Sequence, residues 1–229
     1  MDRSELAQRY LEGQISRRVF IRRLVAGGVS AMAAMAYADV LISAPAAAAS
    51  DFYIFVFDYG FTPTPAALGV QGRRVRWGFG SGNSHSHSAT DRSGMNIFDS
   101  GFRAPGSSYS HTFMAAGKYP YHCKETTHAF APMNGTIRVP ILVSPASGPL
   151  GSSFTITFAT QDAPAGFVFD AQILRPQSST FVDWRVGTTK RSGKFTPTKR
   201  GQFQFQSRLR KLSNGAHAQY CMPKTVTVT

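Results

Sequence analysis

From Asp51 onward the sequence predicts an all-β chain, on three observations. Apolar residues recur with period two, clusters of Gly and Pro interrupt them, and no helical periodicity of useful length appears. The prediction is a β-sandwich or barrel over residues 50–140, then a second all-β unit over residues 141–229, with residues 1–49 standing apart as a targeting segment.

Each element can be justified in order. Tyr53, Phe55 and Phe57 alternate with Ile54, Val56 and Asp58, a strand with both faces largely apolar, and Phe61-Thr62-Pro63-Thr64-Pro65 breaks it. Gln71-Gly72 turns into a strand in which Val75, Trp77 and Phe79 share a face. Ser107 to Phe113 alternates again, Gly117 leads into Tyr119-Pro120-Tyr121-His122-Cys123, and Gly135 to Val139 closes the unit. After the turn cluster Pro145 to Pro149, Phe154, Ile156 and Phe158 alternate with polar or small residues, as do Phe169, Ala171 and Ile173. Phe203, Phe205 and Leu209 point one way while Gln204, Gln206, Arg208 and Arg210 point the other, and Val226 and Val228 mark the last strand. Such a series of short strands fits an immunoglobulin-like sandwich. On Trp184, Gly201-Gln202-Phe203-Gln204-Phe205 and the closing Pro223 to Val228, the segment resembles a fibronectin type III-like domain.

The N-terminus has its own pattern. Ser16-Arg17-Arg18-Val19-Phe20-Ile21 is a twin-arginine motif, followed by an apolar run from Leu24 to Ala38 and small-x-small sites within Ala44 to Ala49. Together they read as a cleaved Tat export signal over residues 1–49. A basic helix touching the membrane, or an uncleaved anchor, is the plainer alternative. Leu6, Tyr10, Leu11 and Ile15 fall on one face of a helix expected to start near Asp2, here assigned to targeting and set aside from the fold. The expected location is extracytoplasmic: periplasm, cell envelope or outside, with membrane contact only through this segment if it is retained.

The net charge is +13 from 25 basic and 12 acidic side chains. Without residues 1–49 it is 19 against 8, divided as +3 over residues 50–140 and +8 over residues 141–229. Nucleic acid is an unexpected partner for an exported chain, so the basic half is expected to meet anionic envelope polymers or lipid head groups, or simply to keep the protein soluble.

Two cysteines in an exported chain invite a disulfide between Cys123 and Cys221. The surroundings of Cys123 point elsewhere. Cys123, His128 and Met133 stand at C-x4-H-x4-M, at the end of one strand and on the loop returning to the next. A thiolate, an imidazole and a thioether on one short loop can converge on a single ion, and an upstream histidine can complete the set. Thiolate plus two imidazoles with a weak axial thioether is the arrangement for copper electron transfer. Zinc gains little from Met, and an iron–sulfur cluster asks for more cysteines. His85 and His87 both offer the upstream ligand, and they share a face if the segment is extended.

With these motifs in view, residues 50–140 resemble the plastocyanin/azurin family of cupredoxins. The likeness runs through Phe61-Thr62-Pro63, Val75-x-Trp77, Ile97-Phe98-Asp99-Ser100-Gly101, Gly117-x-Tyr119-x-Tyr121-x-Cys123 and Met133-x-Gly135-x-Ile137-x-Val139. The resemblance implies a Greek-key β-sandwich holding one type 1 copper, cycling between Cu(I) and Cu(II), on His87, Cys123, His128 and Met133. His87 is preferred to His85 because His87-Ser88-Ala89-Thr90-Asp91 fits the family's small hydroxyl, apolar residue and nearby acid. The loop departs from the best-known relatives in its two four-residue gaps. Such a site implies an electron carrier rather than an enzyme, meeting an unknown redox protein at an apolar rim, Ala129 to Pro132, with His128 as electron port. Copper sequestration without a redox partner, or envelope binding through the basic half, are the rival functions. The paired histidines of multicopper oxidases are a poor match, because only one His-x-His exists and Lys124 follows Cys123. Asn83 is expected to steady the first histidine. His122 should face outward, His111 should be exposed, His217 should lie in a loop, and Cys221 should be a small buried hydrophobe left unpaired.

Overall fold

Both faces of the first strand are apolar because both are covered, and the architecture is most easily built outward from it. The computed structural model describes residues 6, 9, 15–35, 51–125, 128 and 133–229. Tyr10 and Leu11 of the expected first helix, the Ala44–Ala49 cleavage region and the Ala129–Pro132 rim lie outside the described residues.

Helix α1 (Arg17–Ala26) precedes strands β1 (Phe52–Phe57), β2 (Gly60–Thr62), β3 (Ala66–Ala67), β4 (Arg73–Phe79), β5 (Thr90–Asp91), β6 (Ser108–Phe113), β7 (Gly117–His122) and β8 (Asn134–Val139). These strands form two four-stranded sheets, ordered β2-β1-β4-β6 and β3-β8-β7-β5. β1 runs parallel to β4, with Ile54 opposite Trp77, and β7 runs antiparallel to β8, with Tyr121 opposite Gly135. The period-two pattern turns Ile54, Val56, Val75, Trp77 and Phe79 of one sheet towards Tyr119, Tyr121, Ile137 and Val139 of the other, all buried. Trp77 is at the centre, its ring 5.4 Å from that of Phe98 and 5.7 Å from that of Tyr121. Each fully buried Ile, Val or Phe in such a core contributes roughly 1.5–3 kcal/mol.

Residues beyond β8 supply β9 (Leu142–Ser144), β10 (Ser147–Gly148), β11 (Phe154–Thr157), β12 (Phe167–Leu174), β13 (Val182–Thr188), β14 (Ser192–Phe195), β15 (Gly201–Lys211) and β16 (Lys224–Val228). They make a three-stranded sheet, β14-β11-β9, and a five-stranded one, β10-β16-β15-β12-β13. Phe195 on the first meets Phe203 and Phe205 on the second, with ring centroids 5.0 Å apart in each case. The chain is therefore all-β beyond α1 and its neighbours, as its alternation predicts.

Whether the two pairs of sheets pack together could not be read from the sequence, and the structure answers it. Lys118 and Gln219 exchange both backbone hydrogen bonds, the Ala116 N–H donates to the Phe158 carbonyl, and the Thr160 N–H donates to that of Met114. The Gln71 side-chain amide donates to the carbonyls of Pro140 (3.1 Å) and Thr157 (2.8 Å). The buried residues of both halves form one continuous cluster.

Within the segment expected to be targeting sequence, α1 packs onto the outer face of β1. Phe20, Leu24, Val29 and Ala34 are buried against Tyr53 and Phe55. Apolar side chains at positions 20 and 24 share one face of a 3.6-residue helix, and the outer face of β1 is the apolar surface available to them. Ser16 caps the helix by accepting from the Val19 N–H, while Arg17, Arg18, Arg22 and Arg23 face solvent. Among the described residues no helix is long and apolar enough to cross a membrane.

Candidate metal centre

The site grows from the β7–β8 pair. After His122 opposite Asn134, the Cys123 N–H donates to the Met133 carbonyl at 3.0 Å, so the departing and returning ends of the loop lie side by side. Gly135 makes this possible, because a Cβ there would run into the ring of Tyr121. Cys123 and Met133 are both buried, at 7% and 2% exposure.

The remaining donors come from other segments. His87 is tied by two backbone hydrogen bonds to Arg103 and is wholly buried. Its Nδ1 faces Cys123 Sγ at 3.9 Å, and its Nε2 lies 2.8 Å from Asp58 Oδ1. The His87 and His128 rings stack, 5.0 Å between centroids and 19° between planes. One donor atom each from His87, Cys123 and His128 lies within 4.8 Å of the other two. The sulfur also accepts from the N–H groups of Ser88 (3.2 Å) and Glu125 (3.5 Å), while Ser88 Oγ accepts from the Lys124 N–H.

These contacts set the charges. Burial alone would raise the Cys123 thiol, but hydrogen bonds from His87 and the backbone N–H groups outweigh it, so its pKa falls below the usual thiol value. Burial would lower His87, yet its bonds to Cys123 and Asp58 raise it. Burial and the neighbouring His87 both lower His128, keeping it a neutral imidazole with a lone pair to offer. Asp58 is held down to about 2: burial opposes this, and hydrogen bonds from Ser84 and His87 prevail.

The residues fit a soft, thiolate-binding metal ion. A thiol inclined to ionise and two stacked imidazoles converge, and buried Met133 is tied to Cys123 through the backbone. His128 Nδ1 is buried with no hydrogen-bond partner among the described residues. An orphaned, buried ring nitrogen is costly unless something coordinates it.

Of the residues expected at the site, His87, Cys123 and His128 come together, and Met133 lies beside Cys123 through the backbone. His85 does not join them. The segment is bent rather than extended, so His85 is exposed, with its Nδ1 at 2.9 Å from Ser84 Oγ. His128, expected as the electron port, is 4% exposed, with the half-exposed ring of Tyr59 against it at 5.2 Å. Asn83 turns to the Val56 carbonyl rather than to a histidine. His111 is half-buried against Phe98 and Phe113 instead of exposed, and His122 is half-buried.

Sequence reasoning missed Asp58 as the partner of His87. The signal was present: Asp58 occupies the strand face otherwise held by Ile54 and Val56, and an acid in an inward position needs a partner.

No protein-family model matches the chain, and no curated protein matches it. Among solved structures it is similar to dithionite-reduced auracyanin from the photosynthetic bacterium Roseiflexus castenholzii, at 17% identity over 40% of this chain and 97% of that one, with a TM-score of 0.33. It is also similar to a pseudoazurin from Sinorhizobium meliloti, at 18% identity over 39% of this chain and 73% of that one, TM-score 0.29. A third likeness is to copper nitrite reductase from Nitrosomonas europaea, at 12% identity over 78% of this chain and 93% of that one, TM-score 0.30. These are likenesses only, and the reading of the site rests on its own donor atoms.

Proposed function

We propose that the protein binds one copper ion on His87, Cys123, His128 and Met133 in a type 1 site and acts as a one-electron carrier outside the cytoplasm. The observation that carries the reading is the convergence of an acidified thiol and two imidazoles on one point, with the Nδ1 of His128 lacking any other partner among the described residues. Copper would supply the change between Cu(II) and Cu(I). His87, Cys123, His128 and Met133 would supply a donor set suited to both states: a thiolate, two imidazole nitrogens and a thioether.

Each residue has a part in this reading. Cys123 would bind the ion through its sulfur, and its two backbone N–H donors moderate the charge there. His87, wholly buried, would hold the ion from inside. The exposed Tyr59 ring lies edge-on to His128, which favours that edge as the point of exchange with a redox protein. A set of four donors leaves no position for a substrate, so carriage is favoured over catalysis. The twin-arginine pattern at Ser16-Arg17-Arg18 supports export by the Tat route.

The test is the visible and paramagnetic-resonance spectrum of the copper-loaded chain. Intense absorption at the red end of the visible range, with a narrow copper hyperfine splitting, is the expected result. A colourless protein that holds Cu(I) and does not cycle would leave copper sequestration as the function. A protein that binds no copper would remove the reading altogether.

A further inference from the structure

The two-residue turn Asp58-Tyr59 joins β1 to β2, and it touches both histidines. Pairing of Phe57 with Gly60 closes the turn, and Tyr59 takes a left-handed conformation, φ 66°. That places the Tyr59 ring edge-on to His128 at 5.2 Å and the Asp58 carboxylate at His87 Nε2. Three polar contacts hold Asp58 in place. Its Oδ2 accepts from the Ser84 N–H (2.9 Å) and the Ser84 hydroxyl (2.7 Å), and its Oδ1 lies 2.8 Å from the imidazole.

We propose that Asp58 is a positioning residue for the metal: it holds the His87 ring with a proton on Nε2 and Nδ1 turned to Cys123, and it favours Cu(II) over Cu(I) at that nitrogen. The inference rests on the copper reading above and deepens it. An ionised carboxylate opposite Nε2 accepts its N–H. The other tautomer would set a bare nitrogen lone pair against a carboxylate oxygen at the same distance, which is repulsive. With the proton fixed on the far nitrogen, the Nδ1 lone pair is the one available to an ion beside Cys123 Sγ. A hydrogen bond to a carboxylate also makes a ligating imidazole more basic. The added negative charge stabilises the dipositive ion more than the monopositive one, by Coulomb attraction. A protein with Asp58 should therefore have a lower reduction potential than one without it.

The experiment uses the full chain with Asp58→Asn and Asp58→Ala, loaded separately with Cu(II) and Cu(I). Loss of such a partner typically costs about 10–100-fold in metal affinity. The loss should fall on Cu(II), with Cu(I) little changed. A tenfold preferential loss raises a one-electron potential by about 59 mV. Asn keeps an acceptor oxygen without the charge, so it should raise the potential while retaining most of the ring's orientation. Ala should do both kinds of damage and broaden the copper hyperfine pattern. Nitrogen-15 NMR of the metal-free chain gives a second readout: the neutral His87 ring should carry its proton on Nε2 in the unaltered protein and lose that preference in Asp58→Ala. If Asp58→Ala does not fold, Asp58→Asn still reads the charge effect. Folded variants with unchanged Cu(II)-to-Cu(I) affinity ratios and an unchanged tautomer would overturn the proposal. If the unaltered chain gives no type 1 spectrum, the copper reading fails, while the NMR comparison still decides whether Asp58 orients His87.

Discussion

Cys123 and Cys221 begin alike and are pushed in opposite directions. Both are free thiols, both are buried, and both sulfurs accept a backbone N–H, from Ser88 at 3.2 Å and from Ser207 at 3.4 Å. Burial pushes both pKa values up, and at Cys221, inside the joint core of the two sandwiches, it wins. At Cys123 it loses, because the His87 imidazole shares the sulfur with the backbone N–H groups. Depth, then, does not make a ligand. What separates the two thiols is the kind of group aimed at the sulfur: at Cys123 the His87 imidazole joins the N–H groups of Ser88 and Glu125.

The sharpest way to break this contrast is to remove each thiol in turn. Cys123→Ala should abolish the intense red absorption of the copper-loaded protein completely, whereas Cys221→Ala should leave the band where it is. Equal loss in both variants would mean that the two cysteines are not functionally distinct. Next in size is Gly135→Ala, on the strand that returns from the Cys123 loop. A Cβ at that point overlaps the Tyr121 ring, which is fully buried against Trp77 and cannot withdraw. Overpacking of this kind costs about 1–3 kcal/mol. The melting temperature should fall, and the Cys123–Met133 backbone bond should weaken with it. A thermal scan of the metal-free variant beside the unaltered chain reads the effect.

Legibility of these regions in the sequence depends on the range of the interactions. Cys123, His128 and Met133 are visible together because one loop carries them, and ligand softness points to the metal. His87 cannot be separated from His85 by position. Tertiary contacts separate them, since Arg103 holds one inside while the other bends out to Ser84. Asp58 is visible only as an acid in an apolar strand; its partner lies 29 residues on, a separation no local pattern encodes. Period two marks β1 as apolar on both faces without saying what covers the outer one, and α1 does. His111 departs from its expected exposure because alternation in β6 fixes only the side a residue faces. It does not fix how far the neighbouring Phe98 reaches across that side.

The pH dependence of the metal-free chain sharpens the contrast further. Cys221 has a raised pKa, so its contribution to stability is complete below the unfolded thiol value of about 8.5 and is lost as pH rises above it. Asp58 has a folded pKa of about 2. Its contribution is complete above the unfolded carboxylate value of about 3.9 and is lost as pH falls through the folded one. Denaturant midpoints across pH should therefore decline at both ends. Asp58→Asn should flatten the acid limb and Cys221→Ala the alkaline limb. An alkaline limb unchanged in Cys221→Ala would place the titrating group elsewhere and remove the chemical difference drawn between the two cysteines.

The smallest expected effect is that of Cys221→Ala at neutral pH. If this thiol is only a small packed hydrophobe, its loss should cost about 1 kcal/mol, the ordinary penalty for trimming a buried side chain. Cys221 lies where the chain closes the junction, its N–H donating to the Ser207 carbonyl while the Ser207 N–H donates to its sulfur. The backbone bond survives the substitution and only the sulfur contact is lost. A urea titration should then show a modest drop in midpoint with an unchanged slope, because both sandwiches still unfold together. A changed slope would reveal that the sulfur contact holds the second sandwich onto the first. In that case Cys221 would be a fastening at the junction rather than filler, and the two thiols would differ in what they join as well as in what surrounds them.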